Sequence, residues 1–162
     1  LNMIIKIAVD AAIPVQIIKS AAYWLVQQGN LQWESYLLGE EDDIIKKAVR
    51  AGETFLVYKD KLPAATFNLS VNQNDWDKGL WGEKKDPAYY LHRVAVEPDH
   101  MGNGIGEAIL HAAERKARRD QIPLIRLDCA QLNRKLNTFY SKNGYKNRTA
   151  VNGMNLYEKI LA

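Results

Sequence analysis

Apolar residues along this chain recur with two spacings, every second residue in some stretches and every third or fourth in others. These are the marks of strands and helices. Met3 to Ala8 reads as a first strand. Asp10 can cap the helix that follows, with Pro14 near its first turn, and Ile18, Ala21, Ala22 and Leu25 share one face before Gly29 ends it. A second helix around Glu41 to Arg50 closes at Gly52. Phe55 to Tyr58 and Leu62 to Leu69 flank Lys59-Asp60-Lys61 as a hairpin. Tyr89 to Val96 is a strand rich in β-branched and aromatic residues, stopped by Pro98.

The next helix carries the clearest stripe: Ile105, Ala108, Ile109, Ala112, Ala113 and Ala117 on one side, Glu107, His111, Glu114, Arg115, Arg118 and Arg119 off it. Leu124 to Ala130 is another strand, and Asn133 to Lys142 a helix ended by Asn143-Gly144. Two last strands meet at Asn152-Gly153, a strong hairpin signal. Asn72 to Asp86 is polar, carries Trp76 and Trp81, and is expected as a long functional loop. The fold class expected is α/β (α+β), a mixed sheet of six to seven strands flanked by about four helices. The strand–helix–strand unit at 89–130 should have parallel neighbours.

At 162 residues, with no repeat, linker or low-complexity tract, the expectation is one domain over 1–162. Hydrophobic residues at 47% and charged residues at 25% exclude wholesale disorder. One cysteine, Cys129, leaves no internal disulfide and fits a reducing compartment. The apolar runs break at Lys6, Asp10, Lys19 or Gln27, too short to span a bilayer, and no secretory pattern opens the chain. Cytoplasm is the expected compartment. A net charge of +3 is too mild for a dedicated nucleic-acid binder. The dense cluster Arg115, Lys116, Arg118 and Arg119 reads as the solvated end of a helix, complementing its dipole.

The segment from Val94 to Gly106 passes from a strand through a glycine-bearing loop into a helix. A helix start has backbone N–H groups without intrahelical partners and a dipole that favours negative charge. Glycines let the backbone approach phosphate oxygens closely. A pyrophosphate suits such a place. No Gly-Lys-Ser/Thr follows, which removes the P-loop, and the layout is not that of a dinucleotide fold.

Met101-Gly102-Asn103-Gly104-Ile105-Gly106 resembles the acetyl-CoA loop of the GNAT superfamily of N-acetyltransferases, Q/R-x-x-G-x-G/A, with Met101 standing where Gln or Arg is usual. Asn133, then Tyr140 and Gly144-Tyr145, resembles the family's later motif. The resemblance implies a GNAT-like fold and acetyl transfer from acetyl-CoA to a primary amine in a ternary complex. The alternative is a non-catalytic acyl-CoA-binding sensor. It also implies that the strand around Arg93 to Val96 splays from the one near Leu127 to Ala130, with Val94, Ala95 and Val96 holding the pantetheine arm through main-chain atoms. Met101, Gly102, Asn103, Gly104, Ile105, Gly106 and Glu107 would hold the pyrophosphate. Asn133 would face the arm, and Tyr140 would be the general acid toward the sulfur.

The base is open among His92, Asp75, Asp77, Glu83 and a water relay. His92 is the catalytic candidate of choice because imidazole accepts protons near neutrality, and strand alternation would put it on one face with Tyr90, Val94 and Val96. Trp33, Trp76 and Trp81 are expected as aromatic substrate walls, Trp33 and Trp81 first among them. Glu34 and the acids Glu40 to Asp43 offer charge for a cationic amine, although the latter equally suit a helix start. Cys129 reads as a small buried hydrophobe rather than a nucleophile. The three histidines and one cysteine lack zinc-ligand spacing, so no metal is expected. The expected partner is an amine, a small molecule ahead of a protein, with no nucleic acid or membrane. A homodimer is left open.

Overall fold

The structure, a computed structural model, describes residues 3–162. Its elements follow in the order β1 (Met3–Ile7), α1 (Ala12–Gln27), α2 (Glu34–Leu37), α3 (Asp42–Arg50), β2 (Thr54–Lys59), β3 (Leu62–Ser70), α4 (Asp75–Trp81), β4 (Tyr89–Val96), a 3-10 turn at Pro98–His100, α5 (Ile105–Arg119), β5 (Leu124–Ala130), α6 (Arg134–Lys142), β6 (Lys146–Val151) and β7 (Met154–Ile160). The seven strands are hydrogen-bonded in the order β1-β2-β3-β4-β5-β7-β6. β4 and β5 run parallel, with Tyr89 opposite Ile125 and Tyr90 opposite Arg126. The expected mixed α/β architecture is present, with six helices rather than about four.

The chain divides into two compact units. The first comprises the described residues up to Asn68 together with Arg93–Ile109. Its core gathers Ile17, Ile18 and Ala21 of α1, Ile45 and Val49 of α3, Leu56 of β2 and Ala95 of β4. Full burial of an isoleucine stabilises by about 1.5–3 kcal/mol, so the α1 stripe accounts for why this helix forms where it does. Asp10 accepts the N–H of Ala12 at 2.9 Å, and Gly29 leaves the helix with φ +82°. In α3, Asp42 and Asp43 occupy the first turn and Lys47 and Arg50 the last, matching the dipole at both ends. Asp42 also pairs with Lys19 at 3.3 Å. The tight turn at Asp60 and Lys61, both at positive φ, closes the β2–β3 hairpin.

The second unit comprises Leu69–His92 and Leu110–Ala162. β7 runs antiparallel to both β5 and β6, and Asn152 (φ +50°) with Gly153 (φ +79°) makes the predicted two-residue turn. Arg126 of β5 is buried. Burial works against its charge, but Asp86, Tyr90 and Glu158 hydrogen-bond the guanidinium and hold it protonated. Glu114 was expected off the apolar stripe of α5. It is buried instead, because the Tyr145 hydroxyl donates to it at 3.0 Å and Lys159 pairs with it at 3.1 Å.

Two further expectations need correction. Asn72 to Asp86 is not all loop: α4 occupies its centre, started by a capping box in which Asn74 Oδ1 accepts from Asp77 N and Asp77 Oδ2 accepts from Asn74 N. And β4 does not alternate through its length, because Arg93 adopts φ +49°. Tyr89, Tyr90 and Leu91 are buried in succession, so His92 cannot be assigned to a face shared with Val94 and Val96 by counting in twos.

Candidate active site

The glycine loop belongs to the first unit. Glu97 N donates to Ala64 O at 2.8 Å, the turn Pro98–His100 closes with Met101 N on Pro98 O, and Gly102 and Gly104 follow at φ +79° and +76°. Met101, Gly102, Asn103 and Gly104 are exposed, and a Cβ at either glycine would meet nothing within 4 Å. Here φ, not crowding, demands glycine. Ile105 is locked into the core, and Gly104 O accepts from Ala108 N to open α5. The N–H groups of Ile105, Gly106 and Glu107 are therefore those without intrahelical partners. Ala95 is buried among core residues, leaving its main chain alone to contact a ligand, while Val94 and Val96 are half-buried.

Asn133 and Tyr140 belong to the second unit, at the two ends of α6. Asn133 is the N-cap, its Oδ1 accepting from Leu136 N at 3.1 Å. Tyr140 is 7% exposed and packs against Tyr145 and Tyr157. Burial, then Cys129 and Asp128, push its hydroxyl well above the ordinary phenol range, so it stays protonated near neutrality.

His92, in the same unit, lies against α4. Its Nε2 is 2.7 Å from Asp77 Oδ1, with side chains 12% and 1% exposed. A carboxylate accepts, so Nε2 carries the proton in this contact, and in the neutral ring Nδ1 is then the acceptor. Asp128 of β5 completes the cluster: one ligand atom each from Asp77, His92 and Asp128 lie within 4.8 Å of one another. The Trp76 indole N–H divides between both Asp128 oxygens at 3.2 Å. Burial pushes the Asp128 carboxyl up, His92 and the Trp76 hydrogen bond oppose this, and Asp77 adds to it.

The first unit thus holds an exposed glycine loop that opens a helix, and the second holds a protonated phenol and an imidazole–carboxylate cluster. The family model for the acetyltransferase (GNAT) family matches residues 19–145. A curated relative, the uncharacterized N-acetyltransferase YesJ of Bacillus subtilis (strain 168), is 33% identical over 152 residues, covering 93% of this chain and 84% of its own. The chain belongs to the GNAT acetyltransferase family. It is therefore an acyltransferase. A GNAT family acetyltransferase from Listeria monocytogenes 4b F2365 superposes with a TM-score of 0.88 at 29% identity, over 99% of this chain and 96% of that one. The PaiA N-acetyltransferase of Thermoplasma acidophilum, solved in complex with coenzyme A, shares the fold with a TM-score of 0.74 at 18% identity, over 99% of each chain.

In this acetyltransferase two of the three tryptophans expected as substrate walls make packing contacts within their own units. Trp33 packs on the α1–α3 core beside Tyr36, their ring centroids 5.1 Å apart. Trp81 stands edge-on to Tyr90, and the Arg126 guanidinium lies 5.2 Å over its ring. Cys129 is buried, its thiol pushed up to about 11 by burial and then by Asp128, and it donates to Asn137 Oδ1 at 3.3 Å. That is an inert thiol. An open groove of about 730 Å³ in the first unit is lined by α1 and by Glu97–Asp99, just ahead of the glycine loop. Neither the residues from Met101 to Gly106 nor His92, Asp77, Asp128 or Tyr140 line it, so volume alone is a poor guide.

Sequence reasoning missed Asp128 and Trp76 as partners, and Asn137 as the residue that ties α6 down. Asn137 Nδ2 donates to Ala130 O and Asn133 O, and its Oδ1 accepts from Asn155 and Tyr157. The signal available in advance was Asn74-x-x-Asp77, a capping-box spacing that would have turned the loop into a helix. No local spacing links Asp128 to residues 36 and more positions away.

Proposed function

We propose that this GNAT enzyme is an N-acetyltransferase that moves the acetyl group of acetyl-CoA directly to a primary amine. The observation that carries the reading is the exposed loop with Gly102 and Gly104 at positive φ, feeding the open N-terminus of a fifteen-residue helix. A nest of this kind fits a pyrophosphate by main-chain donors. The coenzyme A in the PaiA structure supports the same ligand class. Met101 to Glu107 would hold the pyrophosphate, Val94 to Val96 would offer main-chain groups to the pantetheine amides, and Asn133 retains an amide for the same arm.

Acetyl-CoA, when bound, supplies the acetyl group as a thioester. His92 takes one proton from the incoming ammonium at Nδ1 and releases it to solvent, leaving a neutral amine nitrogen free to attack. Tyr140 Oη gives its proton to the departing sulfur and is restored by the second proton the nitrogen sheds. One C–N bond forms, one C–S bond breaks, and no group of the protein is consumed. Positioning both reactants contributes alongside proton transfer.

The test is calorimetric titration with acetyl-CoA, then free-thiol release across a panel of amines in the same sample. Binding with amine-dependent release is the expected result. Absence of binding overturns the assignment.

A further inference from the structure

The cluster around Asp128 has an unbalanced charge. Two carboxylates, Asp77 and Asp128, face one imidazole, and the groups acting on the Asp128 charge are His92, the Trp76 N–H and Asp77. Asp77 is fully buried with a separate donor on each oxygen, His92 on Oδ1 and Asn74 N on Oδ2. Among the described residues Asp128 has a single hydrogen-bond donor, the indole N–H shared between its two oxygens, so each carboxylate oxygen keeps accepting capacity. A half-buried carboxylate so placed calls for a cation.

The separations fit an ammonium group. A nitrogen bonded at about 2.8 Å to each of two atoms bridges up to about 5.6 Å, and the three ligand atoms lie within 4.8 Å of one another. One nitrogen can thus rest on Asp128 while touching the His92–Asp77 pair. Tyr140 feels the Asp128 charge as well, so the anchor and the proton donor share one neighbourhood. Trp76 is 53% exposed and offers an apolar face beside the carboxylate.

Resting on the acetyl-transfer reading above, we infer that Asp128 is the anchor for the acceptor's ammonium and that the acceptor is an aliphatic primary amine with no carboxylate next to its nitrogen. A free α-amino acid would bring its own carboxylate against Asp77 and Asp128. An aniline, neutral at pH 7, would bring no cation. Asp128 forms no covalent bond. It holds the ammonium while His92 takes the proton.

The experiment compares n-butylamine, glycinamide and glycine as acceptors for the intact enzyme with acetyl-CoA, reading thiol release. The expected order of kcat/KM is n-butylamine and glycinamide well above glycine. In Asp128→Asn, KM for n-butylamine should rise about 10- to 100-fold, the loss of one charge-assisted contact, with the acetyl-CoA Kd unchanged. Trp76→Phe removes the donor that favours the ionised Asp128. The rise of KM on the acid side should then begin at a higher pH than in the parent, a shift that damage to packing alone does not produce. The groups facing Asp128 in this titration are His92 of β4, Asp77 and Trp76 of α4, Cys129 of β5 and Tyr140 of α6.

Glycine equal to n-butylamine, an unchanged KM in Asp128→Asn, or an unmoved acid limb in Trp76→Phe overturns the inference while leaving acetyl transfer standing. Release from none of the three despite acetyl-CoA binding also overturns it. So does activity removed by EDTA and restored by one metal ion, which would make the cluster a metal site. Failure of acetyl-CoA to bind overturns the acetyl-transfer reading itself.

Discussion

The glycine loop of one unit and the Asp77–His92–Asp128 cluster of the other are built on opposite principles. The loop is contiguous, six residues from Met101 to Gly106, and the binding proposed for it rests on main-chain N–H groups and two positive φ angles. On that proposal side chains matter little there, and Met101 can stand where a polar residue is usual. The cluster gathers Trp76 and Asp77 from α4, His92 from β4 and Asp128 from β5, and every contact in it is made by a side-chain atom. A backbone site tolerates substitution until φ is touched. A side-chain site fails at one atom.

The sharpest test of that contrast lies on the side-chain side. Tyr140→Phe removes one oxygen, and kcat should fall about 100-fold with little change in KM, the scale of losing a general acid. Stopped-flow thiol release measures it, with circular dichroism to confirm the fold. An unchanged kcat would remove Tyr140 as the proton donor.

On the backbone side, Gly104→Val forces a β-branched residue to φ +76° in open space. Strain of about 1–3 kcal/mol should weaken acetyl-CoA binding by roughly 5- to 150-fold. Asn103→Ala, in the same loop, should leave binding alone. If the two variants weaken binding equally in calorimetry, the loop works through side chains and the comparison collapses. Met101→Gln adds a polar group at an exposed position and should tighten binding by only about 5-fold, the worth of one hydrogen bond.

The smallest effect concerns pH. The hydrogen bond from Arg126 holds the Asp86 carboxyl below the ordinary carboxylate range. A depressed folded-state pKa contributes stability above the unfolded value, about 3.9, and loses it as pH falls through the folded one. Because Asp86 is half exposed, Asp86→Asn should cost under about 1 kcal/mol at neutral pH and flatten the decline of Tm in acid. A parallel decline in both proteins would show that this pair contributes nothing.

The same contrast explains what could be foreseen. β5 spans Leu124–Ala130 as its alternating pattern predicts, and Asn152-Gly153 turns where its chemistry requires. Both signals are local, as is the glycine loop. α2, a single turn of four residues, is too short for periodicity to register. α4 was hidden because Trp and Asp weaken a helix on propensity grounds, while the Asn74–Asp77 cap that starts it acts through side chains. Arg93 at φ +49° leaves no trace in composition, and it breaks the count by which His92 was placed on a face. His92 was legible as a residue type with the right chemistry. Its partner Asp77 was legible only as one of three acids offered as alternative bases, and the role of Asp128 not at all, since it exists only once distant strands are in place.

Cys129 lends itself to a use of another kind. The chain has one thiol, buried and held protonated, so alkylating reagents reach it only when β5 opens. Its labelling rate is then a clock for local unfolding of the second unit, readable by mass in the native protein. Thiol release during turnover can be followed without background from the enzyme. Labelling that slows when acetyl-CoA is added would put a number on how far the ligand steadies the strand that carries Asp128.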